Sequence, residues 1–445
     1  MNVLIVGSGG REHALAWKAA QSVDVSIVYV APGNAGTALE NKVENVALGV
    51  LDIEKLAQFA QEKDIGLTIV GPEVPLVAGI VDHFQSAGLA IFGPTKGAAQ
   101  LEGSKAFTKD FLARHHIPTA AYGNFTDTEK AIAYIKEQGA PIVVKADGLA
   151  AGKGVILAQT EEEAINAVQD MLSGNTFGEA GHRVVVEEFL VGEEASFICM
   201  VDGKTILPLA TSQDHKARDN GDKGPNTGGM GAYSPAPVVT QAIHDKIMEE
   251  VIRPTVDGME KEGHPYTGFL YAGVMIDKKG IPKVLEYNCR FGDPETQPIM
   301  LRLKSDIVAL CNAAIHQTLD QTEAKWDSRP ALGIVLAAEG YPENYNKGDE
   351  IPALSIGNGT SIDNTPQDHS LDQGKIFHAG TKIENGRVLT NGGRVLCATA
   401  LGRSVSEAQK NAYQLVKNVA WENAYYRDDI GHRAISREEA LEKKQ

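Results

Sequence analysis

Short apolar runs alternate with amphipathic, helix-like stretches over the first hundred residues of the chain. Runs that end in a Gly or Pro turn are typical of buried strands, and they lie at residues 3–6, 25–30, 67–70 and 89–92. Regular alternation of strands and helices predicts a doubly wound parallel sheet. Because such sheets bind ligands at the carboxyl ends of their strands, the four turns are candidate ligand sites.

A different pattern begins at about residue 101. The capping boxes Thr126-x-x-Glu129 and Thr160-x-x-Glu163 predict the starts of two helices. Apolar runs predict two strands, at residues 142–145 and 184–187. Together these elements predict a small α+β lobe.

The second half of the chain predicts a larger lobe and then a further mixed region. A Gly-rich stretch at residues 221–231 has little periodicity and predicts an ordered loop or a mobile lid. Helices and strands are predicted around residues 243–251, 268–277, 283–287, 307–314, 333–338 and 394–400. Ser404-x-x-Glu407 predicts one more helix, Cys311 is expected in the core, and the last ten or so residues are expected to fray.

The chain of 445 residues is too long for one core, at roughly 100 to 200 residues per domain. We expect an N-terminal α/β domain at residues 1–102 and a two-lobed core at 103–325, whose mobile small lobe covers about 120–190. A C-terminal α+β domain follows at 326–445. The predicted fold class is therefore a multidomain α/β and α+β protein.

Composition narrows the classes of partner. The formal net charge is −16, which argues against a general nucleic-acid or membrane-surface binder. An anionic ligand must then be bound by local donors. No long apolar segment or export signal is visible, and the four cysteines lie far apart without a metal-binding spacing. A cytoplasmic location is expected.

The glycine turn after the first strand suggests a dinucleotide site but lacks two of its features. The third fingerprint glycine would fall at Glu12, and the second strand ends without an acidic residue for a ribose. What remains is either an anion site at a helix N-terminus, with Arg11 as a charge partner, or a tight turn without a ligand. His13 is as well explained by packing or solvation as by a function.

Two lysines flank a glycine-rich segment in the middle of the chain. Lys145 ends an apolar run and is followed at once by residues 146–154, while Lys105 opens a helix forty residues earlier. Glycines let a backbone approach phosphates, and lysine supplies a point charge. A nucleotide site is at least as plausible as two solvated lysines, although the segment is not a P-loop.

Two further segments carry candidate polar groups. The acidic pairs in residues 187–194 follow a strand and suggest an adenine and ribose hinge, although solvated loop acids are the default interpretation. Glu286, Asn288 and Arg290 alternate along a strand and so share one face. A carboxylate and an amide oxygen suit Mg²⁺, and arginine suits a carboxylate or phosphoryl group, unless all three side chains are merely solvent-exposed.

Taken together, these segments resemble the ATP-grasp superfamily and, within it, the phosphoribosylamine–glycine ligase family. The resemblance spans nearly the whole chain, and residues 290–297 are its most specific part. Its other segments are residues 7–14, 71–73, 213–216, 226–231 and 426–431.

The resemblance implies a reaction in which the glycine carboxylate attacks the γ-phosphate of ATP to give glycyl phosphate and ADP. The amine of 5-phosphoribosylamine then displaces phosphate. It implies ATP-binding roles for Lys105, Lys145, Gly148, Gly152, Gly154, Glu187, Glu188, Phe189, Leu190 and Glu194. It implies roles in catalysis for Arg290, Lys145, Asp214 and Lys216, and in substrate binding for Gly9, Gly10, Arg11, Glu73, Asp293 and Glu295.

The resemblance also implies that Glu286 and Asn288 bind Mg²⁺ or Mn²⁺. Many ATP-grasp enzymes carry a further acid about a dozen residues earlier, where this chain has Val274. Either one metal ion suffices, or Asp277 or Asp214 replaces that acid. The alternatives in function are an ATP-grasp carboxylase, another carboxylate-amine ligase, or a non-catalytic nucleotide-binding regulator. A monomer or weak homo-oligomer without nucleic-acid or membrane partners is expected.

Overall fold

A computed structural model describes residues 1–149, 154–174, 181–354 and 374–443. The first unit contains five strands: β1 (Asn2–Gly7), β2 (Ile27–Pro32), β3 (Val43–Asn45), β4 (Ile65–Val70) and β5 (Ile91–Phe92). They form one parallel sheet in the order β3-β2-β1-β4-β5, which confirms the predicted doubly wound sheet. The strand β3 was not predicted, because two of its three residues are exposed and polar.

Helices cover both faces of this sheet, which explains why its central strands are apolar throughout. The helices are α1 (Gly10–Ala20), α2 (Ala35–Leu39), α3 (Ile53–Glu62), α4 (Glu73–Ala78) and α5 (Ile80–Ser86). Val3 and Ile5 belong to one hydrophobic cluster, whereas Leu4 and Val6 belong to the other. The turn at residues 7–10 connects the carboxyl end of β1 directly to the N-terminus of α1.

The next two helices, α6 (Gln100–Gly103) and α7 (Lys105–Arg114), share the hydrophobic cluster of the large lobe through Leu101, Phe111 and Leu112. The small lobe follows. Its helices are α8 (Thr128–Gln138) and α9 (Glu161–Leu172), and its strands are β6 (Tyr122–Phe125), β7 (Ile142–Ala146), β8 (Val155–Ala158) and β9 (Val184–Glu188). The strands pair antiparallel in the order β6-β9-β7-β8. Thr160 caps α9 as predicted, but the predicted box at Thr126 is wrong, because Asp127 caps α8 by accepting from the Lys130 N–H at 3.0 Å.

The large lobe and its extension follow. The strands are β10 (Glu193–Asp202), β11 (Ile206–Pro208), β12 (Gln213–Asp214), β13 (Ala217–Asp219), β14 (Lys223–Asn226), β15 (Gly231–Ser234), β16 (Thr267–Ile276) and β17 (Pro282–Asn288). The helices are α10 (Gln241–Ile247), a π-helical stretch (Met248–Ile252), α11 (Arg253–Lys261), α12 (Thr296–Arg302), α13 (Ile307–Ile315) and a 3₁₀ turn (Leu319–Gln321). Cys311 is fully buried on α13, as predicted.

The main sheet of the large lobe has the order β11-β10-β16-β17. Glu286 on β17 pairs with Gly273 on β16, and β17 is the edge strand of this sheet. Lys145 on β7 donates to the carbonyl of Leu285, which joins the two lobes at this point.

The final unit contains a 3₁₀ turn (Pro352–Leu354), the strands β18 (Ala331–Ala338), β19 (Gly374–His378), β20 (Thr381–Glu384), β21 (Arg387–Thr390), β22 (Arg394–Leu401) and β23 (Ala424–Tyr425), and the helices α14 (Val405–Val419) and α15 (His432–Glu442). Its sheet also includes β12 and β15, in the order β12-β15-β18-β22-β19. Among the described residues, no helix is long and apolar enough to cross a membrane.

Two predicted features of this half differ from the structure. Within residues 221–231, which were predicted as an ordered loop or a mobile lid, β14 pairs with β13, so part of the stretch is a hairpin strand. The last ten or so residues do not fray throughout, because α15 continues to Glu442 and packs against α14.

Candidate active site

Lys216 lies between two carboxylates at the junction of β12 and β13. Its ammonium contacts Glu194 Oε1 and lies 3.4 Å from Glu286 Oε1. The Lys216 charge holds the pKa of Glu286 at about 2, with further contributions from Lys145 and Lys105 that oppose burial. Glu286 is therefore an anion throughout the neutral range, as a metal-ligating carboxylate must be.

Arg290, just beyond β17, links the predicted metal strand to the first unit. Its Nε donates to Glu73 Oε2 at 2.9 Å, and its Nη2 donates to Asn288 Oδ1 at 3.1 Å. Burial raises the pKa of Glu73, but the charges of Arg290 and Arg11 outweigh burial and lower it. The guanidinium group of Arg290 thus contacts both the face of β17 that was predicted to bind a metal ion and the Glu73 loop that was predicted to bind substrate.

Glu102 also contacts Arg290, and no sequence pattern indicated this contact. Its Oε1 lies 3.0 Å from Arg290 Nη2, and its Oε2 accepts from the Cys289 N–H at 2.7 Å. Burial raises the pKa of Glu102 to about 7, against the opposing effect of Arg290. Glu102 lies close to Arg290 because α6 packs against β17, and no local sequence pattern indicates that packing.

Lys145 is paired inside the small lobe. Glu187 contacts Lys145 through Oε1 and Lys109 through Oε2, and all three side chains are buried. Burial raises the pKa of Glu187, but the two ammonium groups outweigh burial and lower it. Lys109 was not predicted, although its position four residues after Lys105 on α7 could have indicated a shared face. Two cations around one anion leave a net positive charge at the end of β7.

Lys105 contacts the start of the glycine-rich segment. Its Nζ donates to the Gly148 carbonyl at 2.9 Å, and Asp147 Oδ1 accepts from the Ala106 N–H at the N-terminus of α7. Burial lowers the pKa of Lys105, against the opposing charge of Glu286. Gly154 accepts from the Ala146 N–H at 2.8 Å, whereas Gly152 lies outside the described residues.

The predicted adenine hinge follows β9. Glu188 is exposed and accepts from the Ala121 N–H at 3.3 Å, and Phe189 and Leu190 are half-buried in the turn to β10. Glu194, early in β10, reaches Lys216. The hinge therefore connects Glu187, which neutralises Lys145, to Glu194, which neutralises Lys216.

Glu12 accepts hydrogen bonds from two donors of the loop that follows β1. One oxygen of Glu12 accepts from the Gly9 N–H at 2.6 Å, and the other accepts from Arg11 Nε at 2.6 Å. Arg11 also donates to the Phe291 carbonyl at 3.2 Å. Glu12 thus occupies space beside Gly7 and Gly71, where any added Cβ would collide with it. Glu12, the residue at the position of the third fingerprint glycine, therefore packs against two glycines of the first unit.

Asp293 and Glu295 lie between the loop and the lobes. Asp293 accepts from Gln297 at 2.9 Å, pairs with Arg394 at 3.4 Å, and lies against Gly9 and Gly10. Glu295 is buried and accepts from Ser196 Oγ at 3.0 Å.

The two acids considered as further metal ligands differ in position. Burial raises the pKa of Asp214 well above its usual value, against Lys216, and the charges of Glu295, Glu194 and Glu286 raise it further. Asp277 instead accepts from the N–H groups of Lys279 and Ile281 in the turn after β16. Asp277 is four residues beyond the partner of Glu286, or about 14 Å along the strand. Asp214 is the acid that shares the electrostatic environment of Glu286.

His13 belongs to a buried contact between the first and last units. Its Nδ1 accepts from the His378 N–H at 2.7 Å, and its Nε2 lies 3.0 Å from Glu40 Oε1. Glu40 also pairs with Lys375 at 2.6 Å. These contacts support the interpretation of His13 as a packed residue rather than a functional one.

The two-lobed core, with Lys145 on the small lobe and Glu286 and Asn288 on the large lobe, defines an ATP-grasp enzyme. Family models of phosphoribosylglycinamide synthetase match its N domain at residues 1–102, its ATP-grasp domain at 103–296 and its C domain at 331–433. The chain belongs to the phosphoribosylglycinamide synthetase family.

Similar proteins cover the chain almost completely. The phosphoribosylamine–glycine ligase of Vibrio vulnificus is 69% identical over 99% of this chain and 100% of its own length. That of Salmonella typhimurium is 66% identical over the same shares. The crystal structure of phosphoribosylamine–glycine ligase from Thermotoga maritima has a TM-score of 0.81 and 35% identity, covering 97% of this chain and 100% of that one.

A more distant structure shares the fold alone. The biotin carboxylase domain of 2-oxoglutarate carboxylase from Hydrogenobacter thermophilus has a TM-score of 0.71 at 15% identity, covering 96% of this chain and 91% of that one.

Proposed function

We propose that this chain joins glycine to 5-phosphoribosylamine at the expense of ATP, as a step of purine biosynthesis. A carboxylate is a poor acyl donor, so an oxygen of glycine first attacks the γ-phosphorus and ADP leaves. The amine of phosphoribosylamine then attacks the carbonyl carbon of glycyl phosphate, loses a proton and expels phosphate. The observation that carries this proposal is the guanidinium of Arg290, which joins Asn288 of the metal strand to Glu73 of the first-unit loop.

Lysine charges would stabilise the phosphates of ATP. Lys105 donates to the Gly148 carbonyl, Lys145 lies at the end of β7 just before Gly148, and buried Glu187 fixes the direction of Lys145. Phosphoryl transfer needs positioning and charge neutralisation more than a strong base. The backbone of residues 187–190 would contact adenine, and Glu194 would contact the ribose. Gly148 and Gly154 would let the backbone approach the phosphates closely and help to exclude water from glycyl phosphate.

The donor set at the end of β17 fits a hard divalent cation. Glu286 is ionised, Asn288 presents an amide oxygen, and both belong to one strand face. These two residues would bind Mg²⁺ or Mn²⁺, and such an ion neutralises phosphate charge when bound. Asp214, rather than Asp277, is the candidate for a further ligand, because a bound cation would favour the ionised form of its carboxyl group against the effect of burial.

The remaining site residues would bind the other two substrates. Arg290, with Asp214 and Lys216, would face the glycine carboxylate and the acyl phosphate. Gly9, Gly10, Arg11 and Glu73, with Asp293 and Glu295 beside them, would bind phosphoribosylamine. Since Glu12 already takes the Gly9 N–H and Arg11 Nε, we assign the sugar phosphate to donors other than these two.

The cellular setting completes the proposal. A cytoplasmic enzyme, monomeric or weakly self-associating, agrees with four buried free cysteines and a net charge of −16.

Isotope transfer tests the proposed chemistry. Glycine labelled with ¹⁸O in its carboxylate should yield phosphate that contains one ¹⁸O atom, because the attacking oxygen leaves with phosphorus. Unlabelled phosphate, measured by mass spectrometry alongside labelled amide product, would rule out glycyl phosphate. Turnover that requires bicarbonate instead of glycine would favour a carboxylase.

A further inference from the structure

The segment that surrounds the C-terminal motif Tyr426–Gly431 contacts almost every residue of the hairpin turn that follows Lys216. Tyr425 Oη donates to the Arg218 carbonyl at 3.2 Å, and the Asp428 N–H donates to Asn220 Oδ1 at 3.2 Å. Asp429 Oδ2 accepts from the Gly221 N–H at 2.8 Å. The two segments are about two hundred residues apart in sequence, so their contact is entirely tertiary.

Arg427 is the centre of this contact and is completely buried. It donates from Nη1 to the Ala217 carbonyl at 3.0 Å and from Nη2 to Asp222 Oδ1 at 3.0 Å. Its Nε donates to Asp429 Oδ1 at 2.7 Å, which completes a fork that binds both the motif and the hairpin. A planar guanidinium can make these contacts at once, whereas an ammonium cannot match their geometry.

His215 provides a second connection, on the other side of Lys216. Its Nε2 accepts from the Gly431 N–H at 3.0 Å. Because Nε2 accepts this hydrogen bond, it carries no proton, and the proton of the ring is on Nδ1. This Nδ1–H points towards Asp222, 3.7 Å away.

A metal site at His215, Asp222 and His432 does not agree with these contacts, although their ligand atoms lie within 4.8 Å of one another. The Nε2 lone pair of His215 is used by Gly431, and its Nδ1 is protonated. Asp222 is already paired with Arg427 and Arg433. The cluster is better explained as an anchor for the hairpin.

We propose that residues 426–431 position Lys216, with Arg427 and the Gly431 N–H binding the residues directly after and before it. The ammonium of Lys216 is thereby kept between Glu194 and Glu286. Thr227 reinforces the same backbone, since its N–H donates to the Lys216 carbonyl at 2.8 Å. Arg427 and His215 act through Lys216 as positioning residues, and the inference rests on the role proposed above for Lys216.

The Arg427→Lys enzyme tests this inference in a double-mutant cycle with Lys216→Met. Arg427→Lys should lower kcat about tenfold and leave the KM for phosphoribosylamine within twofold. In the Lys216→Met background, it should lower kcat by less than twofold. Arg403→Lys is the matched control, because Arg403 is exposed and pairs with Glu407 in the same unit.

The outcomes separate this inference from the proposed function. An unchanged kcat in Lys216→Met would refute the role of Lys216 itself. A lowered kcat in Lys216→Met, combined with an unchanged kcat in Arg427→Lys or with effects that multiply in the double variant, would overturn the positioning role alone.

A pair of His215 variants gives an independent measurement if Arg427→Lys does not fold. His215→Gln keeps an acceptor for the Gly431 N–H and should retain most of the rate. His215→Leu fills a similar volume without an acceptor and should lose about tenfold in kcat. Equal rates in the two variants, with equal thermal unfolding midpoints, would contradict the proposal.

Discussion

Arg290 donates from Nε to Glu73 at 2.9 Å, across the boundary between the large lobe and the first unit. The same guanidinium contacts Asn288, so the proposed metal strand and the proposed phosphoribosylamine loop share one residue. The two sides of the site are thus joined through a single planar group.

Replacing Arg290 should remove the contact that joins the proposed metal strand to the phosphoribosylamine loop. Arg290→Lys keeps a charge but cannot contact Glu73, Asn288 and Glu102 in one plane, so kcat/KM should fall on the order of 100-fold. Steady-state ADP release measures this loss. Arg114→Lys, which alters an exposed pair with Glu262, should leave kcat/KM within twofold. Similar losses in both variants would contradict the assignment.

Glu286→Gln should lower the turnover rate strongly and change the stability of the fold little. The variant removes the anion that the structure holds ionised, and kcat should fall on the order of 100-fold or more. The thermal unfolding midpoint should stay within a few degrees of that of the unmodified chain. Glu422→Gln, at an exposed position, is the control. An unchanged kcat at saturating metal would refute the role of Glu286.

Glu187→Gln should destabilise the small lobe, because two buried ammonium groups lose their shared anion. Breaking such a contact by removing one partner costs about 3–5 kcal/mol. Urea-induced unfolding measures the loss, and the Glu187→Gln, Lys109→Met double variant should recover part of it. Glu188→Gln, which alters a neighbouring exposed carboxylate 3.5 Å from Lys283, should change stability by less than about 1 kcal/mol. Equal effects at the two positions would exclude the buried triad.

Acid should weaken the contact between the first and last units. Burial lowers the pKa of His13 below 6.5, so the unfolded chain binds more protons and stability falls as the pH drops below 6.5. Burial raises the pKa of Glu40, but the contacts with His13 and Lys375 outweigh burial and lower the pKa to about 2. Glu40 therefore adds a further loss of stability as the pH falls below 4.5.

This loss is measurable as the change in unfolding free energy between pH 7 and 5. One titrating group contributes at most about 1.4 kcal/mol per pH unit. His13→Asn keeps an acceptor for the His378 N–H but should show a smaller decrease. His316→Asn, at an exposed position, should follow the unmodified chain. Identical pH profiles in the His13→Asn and unmodified proteins would exclude His13 as a source.

Local patterns predicted the regular elements because burial imposes a period on the sequence. The apolar strands of the first sheet, and the cap at Thr160, depend on residues a few positions apart. Glu102 and Lys109 were missed because their partners lie on other elements. The hairpin at β14 was missed for the same reason, since Asp222 and Gly221 are fixed by Arg427 and Asp429.

The central claim is that ATP is consumed to join glycine to phosphoribosylamine. The most direct measurement is the ratio of ADP released to amide formed, with Mg²⁺ present and each substrate omitted in turn. We predict one ADP per amide and no sustained release without glycine. ADP release that continues at the same rate when glycine is omitted would contradict it.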